Sequence, residues 1–156
     1  MEKLRSLLDL PPLWLALSVA VVWAFGWMIP WTLFGPGGRV AGGILVAGGL
    51  GLMGLAVAQM VGARTTVIPR RKPDALVTSG IFRLTRNPIY LGDVMVLAGA
   101  ILWWDVAVGL PVLLAFMALI QSRFILEEEA RLRQTFGTEF TDWAARTPRW
   151  IGLPKP

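Results

Sequence analysis

Four long apolar runs dominate the chain, and they cover residues 10–34, 40–63, 88–104 and 106–126. A helix needs about 20 mostly apolar residues to cross the hydrocarbon core of a bilayer, and the first two runs reach that length without a charge. Asp93 interrupts the third run, and Asp105 lies between the third and the fourth, so these two runs predict a helical hairpin that turns at Asp105. We therefore expect an all-α integral membrane protein with about four transmembrane helices.

The chain becomes polar after residue 126. Apolar side chains then recur at spacings of three or four residues, which puts them on one helical face; they are Leu132, Phe136, Phe140 and Trp143. This pattern predicts an amphipathic helix, kinked at Gly137, that lies against the membrane or the protein core. We predict one membrane-embedded domain with two N-terminal spans (1–63), a cytoplasmic loop (64–86), the hairpin (87–126), and the amphipathic helix and tail (127–156).

Small residues recur at four-residue steps along the second run. They form two stripes, Gly43, Ala47 and Gly51, and then Gly54, Ala58 and Gly62. Small residues let transmembrane helices approach closely, so the stripes predict a packing face. That face could serve contacts within one chain or between chains, which leaves room for an oligomer.

Composition supports the membrane class and restricts the chemistry. Apolar residues make up 55% of the chain and charged residues 16%, whereas a soluble domain usually carries about 25% charge. The chain contains no Cys and no His. Disulfides, thiolate catalysis and histidine general-base chemistry are therefore excluded, and we expect no bound metal.

Basic residues indicate the orientation in the membrane. The net charge of +5 would suggest nucleic acid in a soluble protein, but basic residues beside membrane spans set topology and meet anionic lipid. We therefore expect membrane lipid, and no nucleic acid, as a partner. With four spans, every basic residue except Arg39 falls on one side, so the positive-inside rule predicts that both termini and the 64–86 loop are cytoplasmic.

Two segments hold the side chains that could perform chemistry. The first segment joins the end of the 64–86 loop to the start of the third run and provides Arg83, Arg86, Tyr90 and Asp93. The second follows the fourth run directly and provides Glu128 and Glu129. A hairpin brings these two segments to the same end of the bundle, so one side of the predicted site is cationic and the other anionic.

Residues 65–151 resemble the isoprenylcysteine carboxyl methyltransferases and phospholipid methyltransferases, and more narrowly the small bacterial membrane methyltransferases of that group. The motifs that carry the resemblance are Thr66-Val-Ile-Pro69, Gly80-x-Phe82-x-x-x-Arg86-Asn87-Pro88-x-Tyr90-x-Gly92, Glu128-Glu129-x-x-Leu132-x-x-x-Phe136-Gly137 and Pro148-Arg-Trp150. The sequence departs from the family at Asn87, where the eukaryotic enzymes have His, and at Phe140, where Tyr is usual.

The resemblance implies methyl transfer from S-adenosylmethionine at the cytoplasmic face of a bacterial inner membrane. It also implies that a cofactor pocket is lined by Arg86, Asn87, Pro88, Tyr90, Gly92, Glu128 and Glu129. Within that pocket, Gly92 would let its helix approach the ligand closely.

The chemistry of this cofactor suits the residue types present. Arg86 could pair with its carboxylate, and Glu128 or Glu129 could bind its ammonium or its ribose hydroxyls. Apolar side chains such as Leu91 and Leu132 could hold the adenine.

Methyl transfer from a sulfonium is a direct displacement, so the main task of the protein is to align donor and acceptor in a dry site. The catalytic candidates are Asn87, Tyr90 and Asp93. Asn87 can donate and accept hydrogen bonds but cannot titrate, whereas Asp93, Tyr90 or a glutamate could act as a base for a neutral amine or hydroxyl. We expect an amphiphilic or apolar acceptor that enters sideways from the lipid, and the sequence leaves its nucleophile open.

Three other functions fit parts of the sequence. A four-span small-molecule transporter fits the span count. A nicotinamide-dependent membrane reductase of related architecture could use the Arg70-Arg71-Lys72 cluster to hold a 2′-phosphate. A purely structural subunit would bind no ligand.

Overall fold

The computed structural model describes residues 10–29, 31–68, 71 and 73–152. Its α-helices are α1 (Pro11–Met28), α2 (Gly35–Gly62), α3 (Pro88–Trp103), α4 (Leu110–Ile120), α5 (Leu126–Phe136) and α6 (Thr138–Arg146). No strand occurs among these residues, which confirms the all-α class. The described residues exclude Pro69, Arg70, Lys72 and the first nine residues. The predicted cytoplasmic placement of those nine residues is therefore not addressed by the structure.

Three helical stretches are long and apolar enough to cross a membrane, namely Pro11–Met28, Gly35–Gly62 and Ala107–Phe136. The last is continuous because a π-helical turn, Gln121–Ile125, joins α4 to α5. Helix α3 is apolar but has only 16 residues, or about 24 Å at 1.5 Å per residue. It packs against α1, α2 and α4, and nine of its residues are buried. Against the predicted count of about four spans, the described residues thus contain three helices long enough to span a membrane and one shorter apolar helix.

Helices α2 and α3 pack closely through two pairs of glycines. A Cβ atom at Gly99 would lie 2.7 Å from the carbonyl oxygen of Gly42, and one at Gly92 would lie 2.7 Å from that of Gly49. Within each helix the two glycines are seven residues apart, so both pairs stay on the shared face of the crossing helices.

Within the chain, the buried face of α2 coincides only in part with the predicted stripes. Its buried residues are Gly38, Gly42, Gly49 and Ala56, whereas a Cβ atom added at Gly51, Gly54 or Gly62 would have nothing within 4 Å. Of the predicted stripes, Gly43 lies against α3, where an added Cβ atom would be 2.9 Å from the Trp103 ring. Contacts of the stripes between chains remain a prediction.

Asp105 ties the turn of the hairpin to the start of α2. This residue has a φ of 57°, and its carboxylate accepts hydrogen bonds from the backbone N–H groups of Leu33, Phe34 and Gly35 at 2.7, 2.7 and 2.9 Å. A carboxylate at this position satisfies N–H groups that a helix start leaves open. These bonds hold the pKa of Asp105 below its usual range, and the bond from Phe34 contributes most.

The polar tail folds back onto the protein. Gly137 has a φ of 54° and separates α5 from α6, so the predicted kink is a break between two helices. Phe140 and Trp143 are buried in a cluster with Ala56 of α2 and Phe82 of the 64–86 loop. Of the two predicted locations for the amphipathic segment, the protein core is the one observed.

Candidate active site

A cavity of about 340 Å³ lies where α3 begins, within the size range of small-molecule sites. Its walls are mainly apolar and come from the second half of α2, the 64–86 loop, the first turns of α3 and the start of α5. Met53, Val57, Met60 and Phe82 are among the lining side chains, and Pro11 and Pro12 of α1 also contribute. The cavity thus adjoins membrane-spanning helices and the loop beyond them.

Polar side chains from two distant stretches of sequence meet in this cavity. The predicted site residues that line it are Arg86, Asn87, Pro88, Tyr90, Asp93, Glu128 and Leu132. The helical hairpin therefore brings together the two segments as expected from the sequence. Their roles toward a ligand remain predictions.

Tyr90 connects the two sides of the site. Its hydroxyl donates a 2.9 Å hydrogen bond to Oε1 of Glu128, and its ring lies against that of Phe124 with centroids 6.4 Å apart. Only 6% of Tyr90 is exposed. The bond holds the Glu128 carboxylate at the cavity wall.

Glu129 is buried and is held by two arginines. Its Oε1 lies 3.1 Å from Nη2 of Arg86, and Arg149 donates from Nε to Oε1 at 2.9 Å and from Nη2 to Oε2 at 2.7 Å. Glu129 is not among the residues that line the cavity. It orients arginines in this structure, and the predicted contact with the cofactor remains a prediction.

Leu91 and Gly92 are also absent from the cavity lining. Each residue of an α-helix is turned about 100° from the one before it, so Leu91 and Gly92 point away from the face that Tyr90 and Asp93 share. Gly92 faces Met53 and the backbone of Gly49 on α2. Its closeness serves helix packing in this structure, and its predicted role toward a ligand remains a prediction.

The segment after α6 returns to the site. The N–H of Arg86 donates to the carbonyl of Pro148 at 2.9 Å, and the side chains of Thr85 and Asn87 donate to the carbonyl of Arg149 at 3.1 and 3.0 Å. Arg149 was not among the predicted site residues, although the Pro148-Arg-Trp150 motif was the signal that could have indicated it.

Nε of Arg86 and Nη1 of Arg131 are buried. Neither nitrogen has a hydrogen-bond partner within the part of the chain that the structure describes. Arg131, a second residue that the sequence analysis missed, lines the cavity and pairs with Glu127 through its other nitrogen. A buried donor without a partner costs about 1–3 kcal/mol. Burial lowers the pKa of Arg86, while Glu129 raises it; the group stays charged, because arginine is not deprotonated in proteins.

The comparison with protein families shows the family of the chain. The model of the phospholipid methyltransferase family matches residues 38–139, well over half of the chain. The chain belongs to the phospholipid methyltransferase family. Membership supports methyltransferase activity and, with the apolar helices, an integral membrane protein. No curated protein and no solved structure matches the chain.

Most of the cavity of this phospholipid methyltransferase family member lies within the matched range. The lining residues outside it are Pro11, Pro12 and Trp143. The segment 147–152, which contacts the site, also lies outside the matched range. Among the described residues, no group of three or more Asp and Glu side chains is arranged to hold a metal ion.

Proposed function

We propose that this protein transfers the methyl group of S-adenosylmethionine to an amphiphilic or apolar acceptor that enters from the membrane, with membrane lipid as the first candidate. The observation that carries the proposal is the largely apolar cavity into which Arg86, Tyr90, Asp93 and Glu128 converge. Family membership supports methyl transfer; it gives the transporter, reductase and structural-subunit alternatives no support.

The residues present fit this cofactor. Nε of Arg86 and Nη1 of Arg131 are buried donors that need an acceptor, and the carboxylate of the cofactor would supply one. Glu128, fixed by Tyr90, has the charge to bind the ammonium. Leu132 and Met60 offer apolar surface for the adenine. When bound, the cofactor supplies a methyl group on a positively charged sulfur.

The side chains near the acceptor determine where its proton goes. The new bond forms from a lone pair of the acceptor to the methyl carbon, and the electrons of the broken carbon–sulfur bond return to sulfur. An amine or hydroxyl acceptor must also lose a proton. Asp93 is buried at 4% exposure in the cavity wall, and its carboxylate is our candidate base. Asn87 and Tyr90 would orient the acceptor.

The same end of the bundle carries most of the basic residues. Arg64, Arg86 and Arg131 lie near the start of α3, and Arg39 lies near the start of α2 at the other end. By the positive-inside rule we assign the cavity to the cytoplasmic face. We further assign the protein to the bacterial inner membrane, on the resemblance described above.

A methyl-transfer assay tests the proposal. The full chain would be reconstituted in vesicles of phosphatidylethanolamine and phosphatidylglycerol with methyl-labelled S-adenosylmethionine, and label would be measured in the lipid extract. We expect transfer by the wild type, at least a tenfold loss in Asp93→Asn, and little change in Asp142→Asn, whose carboxylate is exposed on α6. Folded wild type that labels no lipid would contradict membrane lipid as the acceptor. A wild-type rate in Asp93→Asn would contradict Asp93 as the base.

A further inference from the structure

The segment 147–150 lies beyond the family match, which ends at residue 139, yet it is tightly attached to the site. Thr147 is buried, and Trp150 donates from Nε1 to the side-chain oxygen of Gln121 at 2.8 Å. The backbone of Pro148 and Arg149 accepts three hydrogen bonds from residues 85–87. The backbone of this segment would therefore stay in place even if the Arg149 side chain were removed.

The Arg149 side chain determines what Glu129 can bind. Its two parallel bonds occupy both carboxylate oxygens, and Arg86 reaches only Oε1, through Nη2. The hydrogen bonds that Arg149 donates to Glu129 raise the pKa of Arg149, so its guanidinium group stays charged. Consequently Nε of Arg86 is left without a partner among the described residues.

Without Arg149, the free Oε2 of Glu129 would be available to Arg86. Arginine and carboxylate groups prefer two parallel hydrogen bonds, and Arg86 could form such a pair by offering Nε as its second donor. That pairing would consume the Nε donor of Arg86, which has no partner among the described residues.

We infer that Arg149 is a positioning residue that keeps Arg86 available for the carboxylate of the cofactor by holding Glu129. The inference rests on the proposed function, because it assumes that Arg86 binds the cofactor. Arg149 touches neither reacting group; it acts through Glu129 on Arg86.

Calorimetric titration of the detergent-purified full chain with S-adenosylhomocysteine tests the inference. Arg149→Ala should weaken binding about ten- to a hundredfold, the range expected for one hydrogen bond to a charged group. Arg149→Lys keeps the charge but not the planar fork, and it should also weaken binding. The matched control is Arg146→Ala, because Arg146 is exposed and its Nε bonds only to a carbonyl of its own helix; it should bind like the wild type.

A double variant separates positioning from a general structural role. If Glu129 captures Arg86 once Arg149 is gone, adding Glu129→Gln to Arg149→Ala should restore part of the lost affinity, since a neutral amide attracts Arg86 less than a carboxylate does. A double variant that binds as weakly as Arg149→Ala, or more weakly, would overturn the inference. So would wild-type affinity in both single variants of Arg149.

Failure of the proposed function would look different. Folded wild type that binds no S-adenosylhomocysteine would refute the cofactor assignment and this inference with it. Binding by the wild type, with no effect of the Arg149 substitutions, would refute the inference alone. Arg149→Lys keeps the test decisive if Arg149→Ala fails to fold, because it preserves the side-chain stem and the backbone contacts of the segment.

Discussion

Replacing Gly92 with alanine should force α2 and α3 apart. The added methyl group would lie 2.7 Å from the carbonyl oxygen of Gly49 and 2.5 Å from Cγ of Met53. The methionine side chain can move, but the carbonyl belongs to a regular helix and can shift only with it. Overpacking of this kind costs about 1–3 kcal/mol.

Gly51→Ala is the matched control. A Cβ atom there would have nothing within 4 Å, and the position is exposed on the same helix pair. Alanine is intrinsically better than glycine in a helix by about 1 kcal/mol, and this gain is shared by both variants. The difference between them therefore isolates the clash, and Gly92→Ala should be about 1–3 kcal/mol less stable than Gly51→Ala.

The assay is reversible unfolding in mixed micelles with increasing dodecyl sulfate, followed by tryptophan fluorescence, together with S-adenosylhomocysteine binding under folding conditions. Equal stability of the two variants would refute the packing argument. If Gly92→Ala were as stable as the control but had lost binding, Gly92 would belong to the ligand pocket, as the family resemblance implied.

Three further predictions concern single interactions. Tyr90→Phe removes the hydrogen bond to Glu128 and should lower the methyl-transfer rate about tenfold or more; a wild-type rate in vesicles would contradict this. The pKa of Asp105 is lowered, chiefly by the N–H of Phe34. The stability that the Asp105 carboxylate gives the folded protein is therefore complete above about pH 4, the pKa of an ordinary aspartate, and is lost as the pH falls through the lowered pKa. Asp105→Asn should reduce the acid dependence of the unfolding midpoint, and an unchanged dependence would count against the cap. Gly137→Ala imposes a φ of 54° on a residue with a side chain and should destabilise the fold by about 1–3 kcal/mol; a thermal midpoint equal to that of the wild type would disprove the strain.

The membrane class and the order of the helices follow from local patterns. Run length and the positions of Pro88, Asp105 and Gly137 depend on nearby residues only, and all of them mark element boundaries in the structure. The packing face of α2 does not follow from its own sequence. It depends on the register against α3, which a repeat of small residues in one helix cannot determine.

The site was predictable to a similar degree. Charged segments at two helix ends of one hairpin must meet, so Arg86, Tyr90 and Glu128 could be placed together from the sequence. The contact between Glu129 and Arg149 could not be predicted, because Arg149 lies 20 residues further along the chain, after the break at Gly137. The direction of that return depends on tertiary packing around Phe140.

The central claim is that Arg86 and the cavity around it bind the methyl donor. Its most direct test is calorimetric titration of the purified protein with S-adenosylhomocysteine, using the wild type, Arg86→Ala and Arg83→Ala. Arg83 is an exposed arginine three residues away that does not line the cavity, so it controls for the loss of one positive charge. We predict saturable binding by the wild type and Arg83→Ala, and at least about tenfold weaker binding by Arg86→Ala. No binding by folded wild type, or equal affinities for Arg86→Ala and Arg83→Ala, would contradict the claim.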